Sequence, residues 1–235
     1  MYGIRFNGKH SYEDFGMTIA EKNAGYPDKE KIKVKIPFSN VEYDFSEIYG
    51  EQTYSNRSLT YTFNVISKKP TTQKINAIET NLSNWLINSN GKQRLYDDSM
   101  PNYYYLAEVE GGLNFAELWN HGKLTVTFKA YPFMISELKE GHDIWDEINF
   151  ETDILQPVDF DVNGTLDIMI FNGGVPSLSP TIEATAPLEI IKDGVSYTIP
   201  SGKSKSESFR LANGENHLTI TGNGTIKFLF YKELI

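Results

Sequence analysis

Residues 58–67 read SLTYTFNVIS, and the fold class turns on how they are read. Leu59, Tyr61, Phe63 and Val65 recur every second position, with Ser, Thr and Asn between them. A period of two places one set on a buried sheet face and the other in water. Residues 123–133, KLTVTFKAYPF, repeat the pattern with Leu124, Val126 and Phe128, and the ring of Tyr131 stands close by. Residues 31–37, KIKVKIP, set Ile32, Val34 and Ile36 against Lys31, Lys33 and Lys35. They predict a strand with one wet face. Aromatic and β-branched residues at these positions agree with strand preference.

One segment departs from this rhythm. Ile75, Ile78, Leu82, Trp85 and Leu86 are spaced by three and four, which predicts a helix over 72–89 with one apolar face. Thr71 or Thr72 can cap its start after Pro70, and Asn90–Gly91 supplies a left-handed stop. In the second half Asp193–Gly194 predicts a tight hairpin, and Asn163–Gly164, Asn213–Gly214 and Asn223–Gly224 predict further reversals. Strands spaced this closely suggest a sandwich. Residues 136–151 are charged and fit neither period, so they are read as a linker between domains at 1–135 and 152–235.

Composition narrows the functions. Of 235 residues 40% are apolar, but 13% are aromatic, enough to build cores and to set disorder aside. There is no Cys, which excludes disulfides, thiol nucleophiles and thiolate-bound zinc. The net charge of −9 is shared by both halves and argues against a broad basic nucleic-acid face. No membrane-length apolar run occurs, and the opening MYGIRFNGKHSYEDFG lacks the apolar region of a secretory leader.

The chemistry-bearing motifs each fall short. Gly202–Lys203–Ser204 resembles a phosphate loop, but Tyr197 stands where its first glycine belongs. Asp159, Asp161, Asn163, Gly164 and Asp167 match an EF-hand loop until its twelfth position, where Ile170 replaces the bidentate Glu. His10, His121, His142 and His217 have no His partner at zinc spacing. Asp97 and Asp98 are adjacent, so on a strand they face apart. The reading is therefore of no enzyme and no cofactor. Tyr103, Tyr104 and Tyr105 are expected to bring at least one ring to a surface, and Tyr is enriched at interfaces.

The order of segments resembles a family. It runs from Phe6, Gly8 and Ser11 through Asp14–Phe15–Gly16, NLSNWL at 81–86 and RLYDDSMPNYYYLAEVEG at 94–111 to GKLTVTFKAYPF at 122–133. FNGGVPSLSPTIEA at 171–184 and LANGENHLTITGNGTIKFLFYKEL at 211–234 complete it, with Ala130 as a harmless departure. The chain resembles the distal tail proteins of long, flexible-tailed phages of Gram-positive bacteria. The resemblance implies a mainly β chain of two domains. The first is an N-terminal β-sandwich or split barrel with one long helix, the second a C-terminal galectin-like (carbohydrate-binding-module-like) sandwich. It implies a homohexameric ring at the virion tail tip, made in the host cytoplasm. The tail tube protein lies on one side, a tail-associated baseplate protein on the other, and a channel for DNA runs between.

Two sets of residues are singled out on that basis. Lys31, Lys33 and Lys35 against Glu42, Asp44 and Glu47, with Tyr104, are candidates for subunit contact through opposite charge. Tyr197, Phe209, His217 and Tyr231 are candidates for glycan contact, should the second domain bind cell-wall sugars instead.

Overall fold

The computed structural model describes residues 2–48, 50–65, 71–113, 115–142 and 154–235, the side chains of residues 116, 117 and 120 aside. The chain divides into two compact units, residues 1–134 with Ile235, and residues 135–234. Of residues 136–151, Ser136 and Glu140 donate backbone N–H bonds to Lys232 and Phe230 within the second unit. Residues 143–151 lie outside the described residues.

The first unit contains β1 (Ile4–Phe6), β2 (Lys9–His10), β3 (Thr18–Ala24), β4 (Lys33–Lys35), β5 (Glu42–Asp44) and β6 (Arg57–Asn64). Next come α1 (Thr72–Leu86), β7 (Gln93–Asp97), β8 (Tyr103–Glu108), the short α2 (Ala116–His121) and β9 (Lys123–Ala130). Seven strands form an antiparallel sheet in the order β2-β1-β7-β8-β9-β6-β3. The alternating residues of β6 and β9 behave as their period requires: Leu59, Tyr61, Phe63, Leu124, Val126 and Phe128 are buried. Thr60 faces Thr127, and Thr62 faces Thr125, on the wet side, hydroxyl to hydroxyl at 3.1 and 3.0 Å.

Helix α1 buries Ile75, Leu82, Trp85 and Leu86. The Trp85 indole donates to the Phe6 carbonyl at 2.6 Å, and its ring stacks on Phe15. The helix ends at Leu86, three residues before the predicted stop, with Ile87 as its C-cap. Gly91 is left-handed, but in the turn beyond. Thr71 occupies the N-cap without a side-chain bond.

β10 (Met134–Ser136) spans the junction, and the second unit continues with β11 (Asp159–Asn172), β12 (Thr181–Ala184), β13 (Leu188–Lys192), β14 (Val195–Ile199), β15 (Gly202–Lys205), β16 (Gly214–Leu229) and β17 (Glu233–Leu234). The order β14-β13-β16-β12-β15 places β16 centrally, and β11 pairs along its whole length. The Asp193–Gly194 hairpin is present, both residues left-handed as a type I′ turn demands. The reversals expected at Asn163–Gly164 and Asn223–Gly224 are absent. Both dipeptides run through the middle of long strands, with Asn163 opposite Asn223 and Gly164 opposite Gly222.

Gly222 and Gly224 lie close against the β12–β13 connection. β16 pairs with β13 through Thr219–Thr221 and with β12 from Ile226 onward, and the β12–β13 connection runs close beside it between the two, Thr185 N–H donating to the Thr225 carbonyl. At Gly222 a Cβ would lie 2.6 Å from Leu188, and at Gly224 2.9 Å from Thr185. The core beneath gathers Ile170, Ile182, Ile190, Phe209, Leu218, Ile220, Ile226 and Phe228.

Candidate functional site: an amphipathic hairpin arm

Strands β4 and β5 pair only with each other, apart from both larger sheets. They form an arm on a stem where Glu30 donates to Thr53, Ser55 to Asp28, and Lys29 bridges Tyr54. The Gln52 side-chain amide adds a bond to the Glu30 carbonyl at 2.8 Å, and the Tyr54 ring meets Phe133 edge-on.

The arm's register sorts its side chains. Lys33 lies opposite Asp44, Val34 opposite Tyr43 and Lys35 opposite Glu42. Directly opposed residues of an antiparallel pair share a face, so one face carries the charges and the other the apolar groups. Lys31 reaches Asp44 at 3.4 Å and Lys33 reaches Glu42 at 2.8 Å. Two of the lysines and two of the carboxylates proposed to meet between subunits are thus paired within one hairpin. The Glu42 contact raises the Lys33 ammonium above its usual value. Asp44 also accepts the Ser46 hydroxyl and its backbone N–H, while the Ser46 hydroxyl accepts Ile32 N–H. Those Ser46 bonds, with Lys31 behind them, hold the Asp44 carboxyl at about 2. Glu47 has no side-chain partner among the described residues.

The other face is the unexpected one. KIKVKIP was predicted to bury one side, yet Ile32, Val34, Ile36, Val41, Tyr43 and Phe45 are each 40–59% exposed. At the tip, Phe38 takes φ +61° with its ring wholly in solvent. A bulky residue in left-handed backbone costs about 1–3 kcal/mol, and such strain concentrates at functional positions. A two-stranded ribbon is at best marginal alone in water. An exposed apolar ribbon face is therefore a surface built to be covered. The sequence held the signal: residues 31–36 and 41–45 alternate in matching phase around Pro37–Phe38–Ser39–Asn40.

Tyr104 does not stand at the surface as expected. All three adjacent tyrosines are buried, and Tyr104 lies under Arg94, whose guanidinium is 4.6 Å from the ring centre. In the second unit a cleft of about 370 Å³ is lined by Tyr197, Phe209, Ser196, Thr198, Ser204 and Lys205, among others. Tyr197 meets Phe209 edge-on at 5.1 Å, but Phe209 is core and offers no free face. His217, 3.5 Å from Glu215, and the exposed Tyr231 lie outside that cleft.

The remaining chemistry-bearing residues have structural partners. Asp97 points inward, accepting from Tyr61 at 2.7 Å, Lys22 at 2.7 Å and Ser99. Asp98 points away, to Gly3 N–H and His10 Nε2. The carboxylates of the EF-hand match lie along β11, where Asp159 pairs with Lys227 and Asp167 accepts from Thr219. Eight residues of strand separate those two by roughly 27 Å, too far for one ion. Lys203 sits in β15, paired to Glu183 at 2.7 Å. Among the described residues no three His, Asp or Glu side chains are grouped to hold a metal, and no helix is long and apolar enough to cross a membrane.

No family model and no curated protein matches the chain. Solved structures do, two of them as follows. The phage p2 baseplate in its activated conformation with Sr aligns over 99% of this chain and 96% of the other at 9% identity, with a TM-score of 0.40 that supports no conclusion. The Dit protein (gp 19.1) of phage SPP1, a paradigm of the hub adsorption apparatus in phages infecting Gram-positive bacteria, aligns over 100% of both chains at 14% identity and a TM-score of 0.65. From end to end, the chain has the fold of SPP1 Dit.

Proposed function

We propose that this chain is a structural hub protein of a phage tail tip, and that copies of it close into a six-fold ring through the hairpin arm. The tail tube protein would sit on one side of the ring and the tail-associated baseplate protein on the other, with DNA passing through without specific binding. The likeness to SPP1 Dit supports the setting. The single observation that carries assembly is the arm, whose apolar residues are 40–59% exposed in the single subunit. A ring needs two unlike surfaces per subunit, and a projecting arm supplies one. The net charge of −9 suits a channel from which phosphate must slide free. Light scattering of the purified chain should give about six times the 26.7 kDa subunit mass. Val34→Glu with Tyr43→Glu should leave a folded monomer. A monomeric parent at all concentrations would refute the reading.

A second reading has one observation behind it. The cleft beside Tyr197 combines part of an aromatic ring with several hydroxyls, a fair setting for one sugar ring. Titration with cell-wall glycan fragments should then shift Tyr197 signals in NMR spectra, and Tyr197→Ala should abolish binding. No shift at millimolar sugar would dismiss it.

A further inference from the structure

We propose that β14 is a docking edge, and that an extended segment of a partner protein adds to it as a further strand with apolar side chains entering the cleft beside Tyr197. The inference concerns the second unit alone and does not depend on copies of the chain meeting in a ring.

β14 differs from every other outermost strand of the two larger sheets. A strand at a sheet edge offers a row of unpaired N–H and C=O groups, and charged side chains, short length or a bulge ordinarily keep other chains from pairing with it. In the first unit the outermost β2 is the dipeptide Lys9–His10, and β3 carries Glu21 and Lys22 and breaks register between Ile19 and Glu21. In the second unit β15 carries Lys203 and Lys205, β11 carries Asp159, Asp161 and Asp167, and β17 carries Glu233. β14 stands at the end of its sheet and reads VSYTI, five residues without a charge. Val195, Tyr197, Thr198 and Ile199 all favour extended backbone.

The hairpin fixes which of its groups are free. The turn at Asp193–Gly194 closes on Lys192 and Val195 as a bonded pair, and bonded and non-bonded pairs alternate from there. Ile190 and Tyr197 therefore bond each other, while the N–H and C=O of Ser196 and Thr198 point away from β13. Neither backbone has a partner among the described residues. Two donor-acceptor sets about 7 Å apart are what an added antiparallel strand meets. Pro200 has no N–H and ends the row.

The cleft of about 370 Å³ lies along this edge, because five consecutive residues, Ser196 to Pro200, contribute to its lining. Ile182 and Phe209, both buried in the core, line it as well. Tyr197 and Ile199 share the inward face of the hairpin with Ile190 and Leu188. A strand laid beside β14 would turn every second side chain toward that same interior, where apolar groups continue the core, and the others toward the Ser196 and Thr198 side chains. The matching partner is thus an extended segment, uncharged and apolar at alternate positions. A sugar ring would use the hydroxyls of the cleft and leave the row of backbone groups bare; a strand satisfies both.

The test selects on the full chain from a display library of heptapeptides, apolar at every second position, and follows the selected peptides by residue-resolved hydrogen exchange. In the free chain the Ser196 and Thr198 amides should exchange fast beside a slow Tyr197 amide, and bound peptide should slow both. Thr198→Pro removes an outward N–H that β13 does not use, a change that edge strands tolerate. It should weaken binding about tenfold or more at unchanged melting temperature. Ser196→Lys with Thr198→Lys keeps the backbone and adds the kind of charge found on the other edges, and should weaken binding likewise. Selection of no peptide, or of peptides indifferent to both variants, would overturn the docking edge. Wall-glycan fragments that fill the cleft and leave both amides fast would overturn it in favour of the sugar. Amides already slow in the free chain and quickened by dilution would overturn it in favour of two copies paired through β14.

Discussion

A methyl group at position 222 would have to occupy the space of Leu188, and residue 222 holds φ +129°, a conformation that only glycine adopts freely. Gly222→Ala is expected to destabilise the second unit by at least about 1–3 kcal/mol from the backbone alone, with overpacking adding to it. A lowered denaturant midpoint checks this. Asn-Gly pairs in a sequence signal turns, and here that signal misled: at Asn223–Gly224 the neighbouring connection leaves no room for a side chain, while the space beside Gly164 is open. Asp97 is the other telling residue. Burial works to raise its carboxyl, but bonds from Lys22, Ser99 and Tyr61 outweigh burial, and the net shift is downward. Burial beside that charge pushes the Tyr61 hydroxyl strongly up, so it stays a donor. A depressed carboxyl contributes stability that is whole above its unfolded value of about 3.9 and is lost as pH falls through the folded one. Asp97→Asn should cost about 1.5–3 kcal/mol at neutral pH and flatten the loss of stability below pH 4. An unchanged acid slope would mean that other groups dominate.

Among the elements, α1 and the strands around it were legible because their burial obeys a single period. The face Ile75–Leu82–Trp85–Leu86 was readable from spacing alone, and Ile78 falls at its half-buried margin. Trp85→Ala should cost about 3–5 kcal/mol in chemical denaturation, since the indole is 2% exposed and its N–H has a backbone partner. A cost below 1 kcal/mol would contradict that packing. The arm was only half legible. Alternation in KIKVKIP gives the strand and the division into two faces, but a period of two cannot say whether the apolar face meets its own core or another molecule. Likewise the cross-strand ion pairs of the arm depend on register, which neither segment reveals alone. Tyr104 was misplaced for a related reason: Arg94 of the neighbouring strand covers it, and the pairing of β7 with β8 is a long-range fact.

For the whole molecule, two units that each have a core of their own should melt as separate cooperative transitions. Calorimetry of the full chain should resolve two peaks, with Trp85→Ala lowering one and Gly222→Ala the other. One peak moved by both changes would show the units unfold together. The arm has a consequence beyond assembly, for the period when subunits are synthesised singly. Its apolar groups never stand next to one another between Lys31 and Ile36 or between Val41 and Phe45, since Lys33, Lys35, Glu42 and Asp44 interrupt them. Those charges act as gatekeepers: stacked, amyloid-like pairing of the arm would have to bring like charges into register and bury them. Replacing Lys33 and Lys35 by valine would leave the sticky face intact and remove the interruption. The expected result is precipitation of newly made chains instead of a tighter ring.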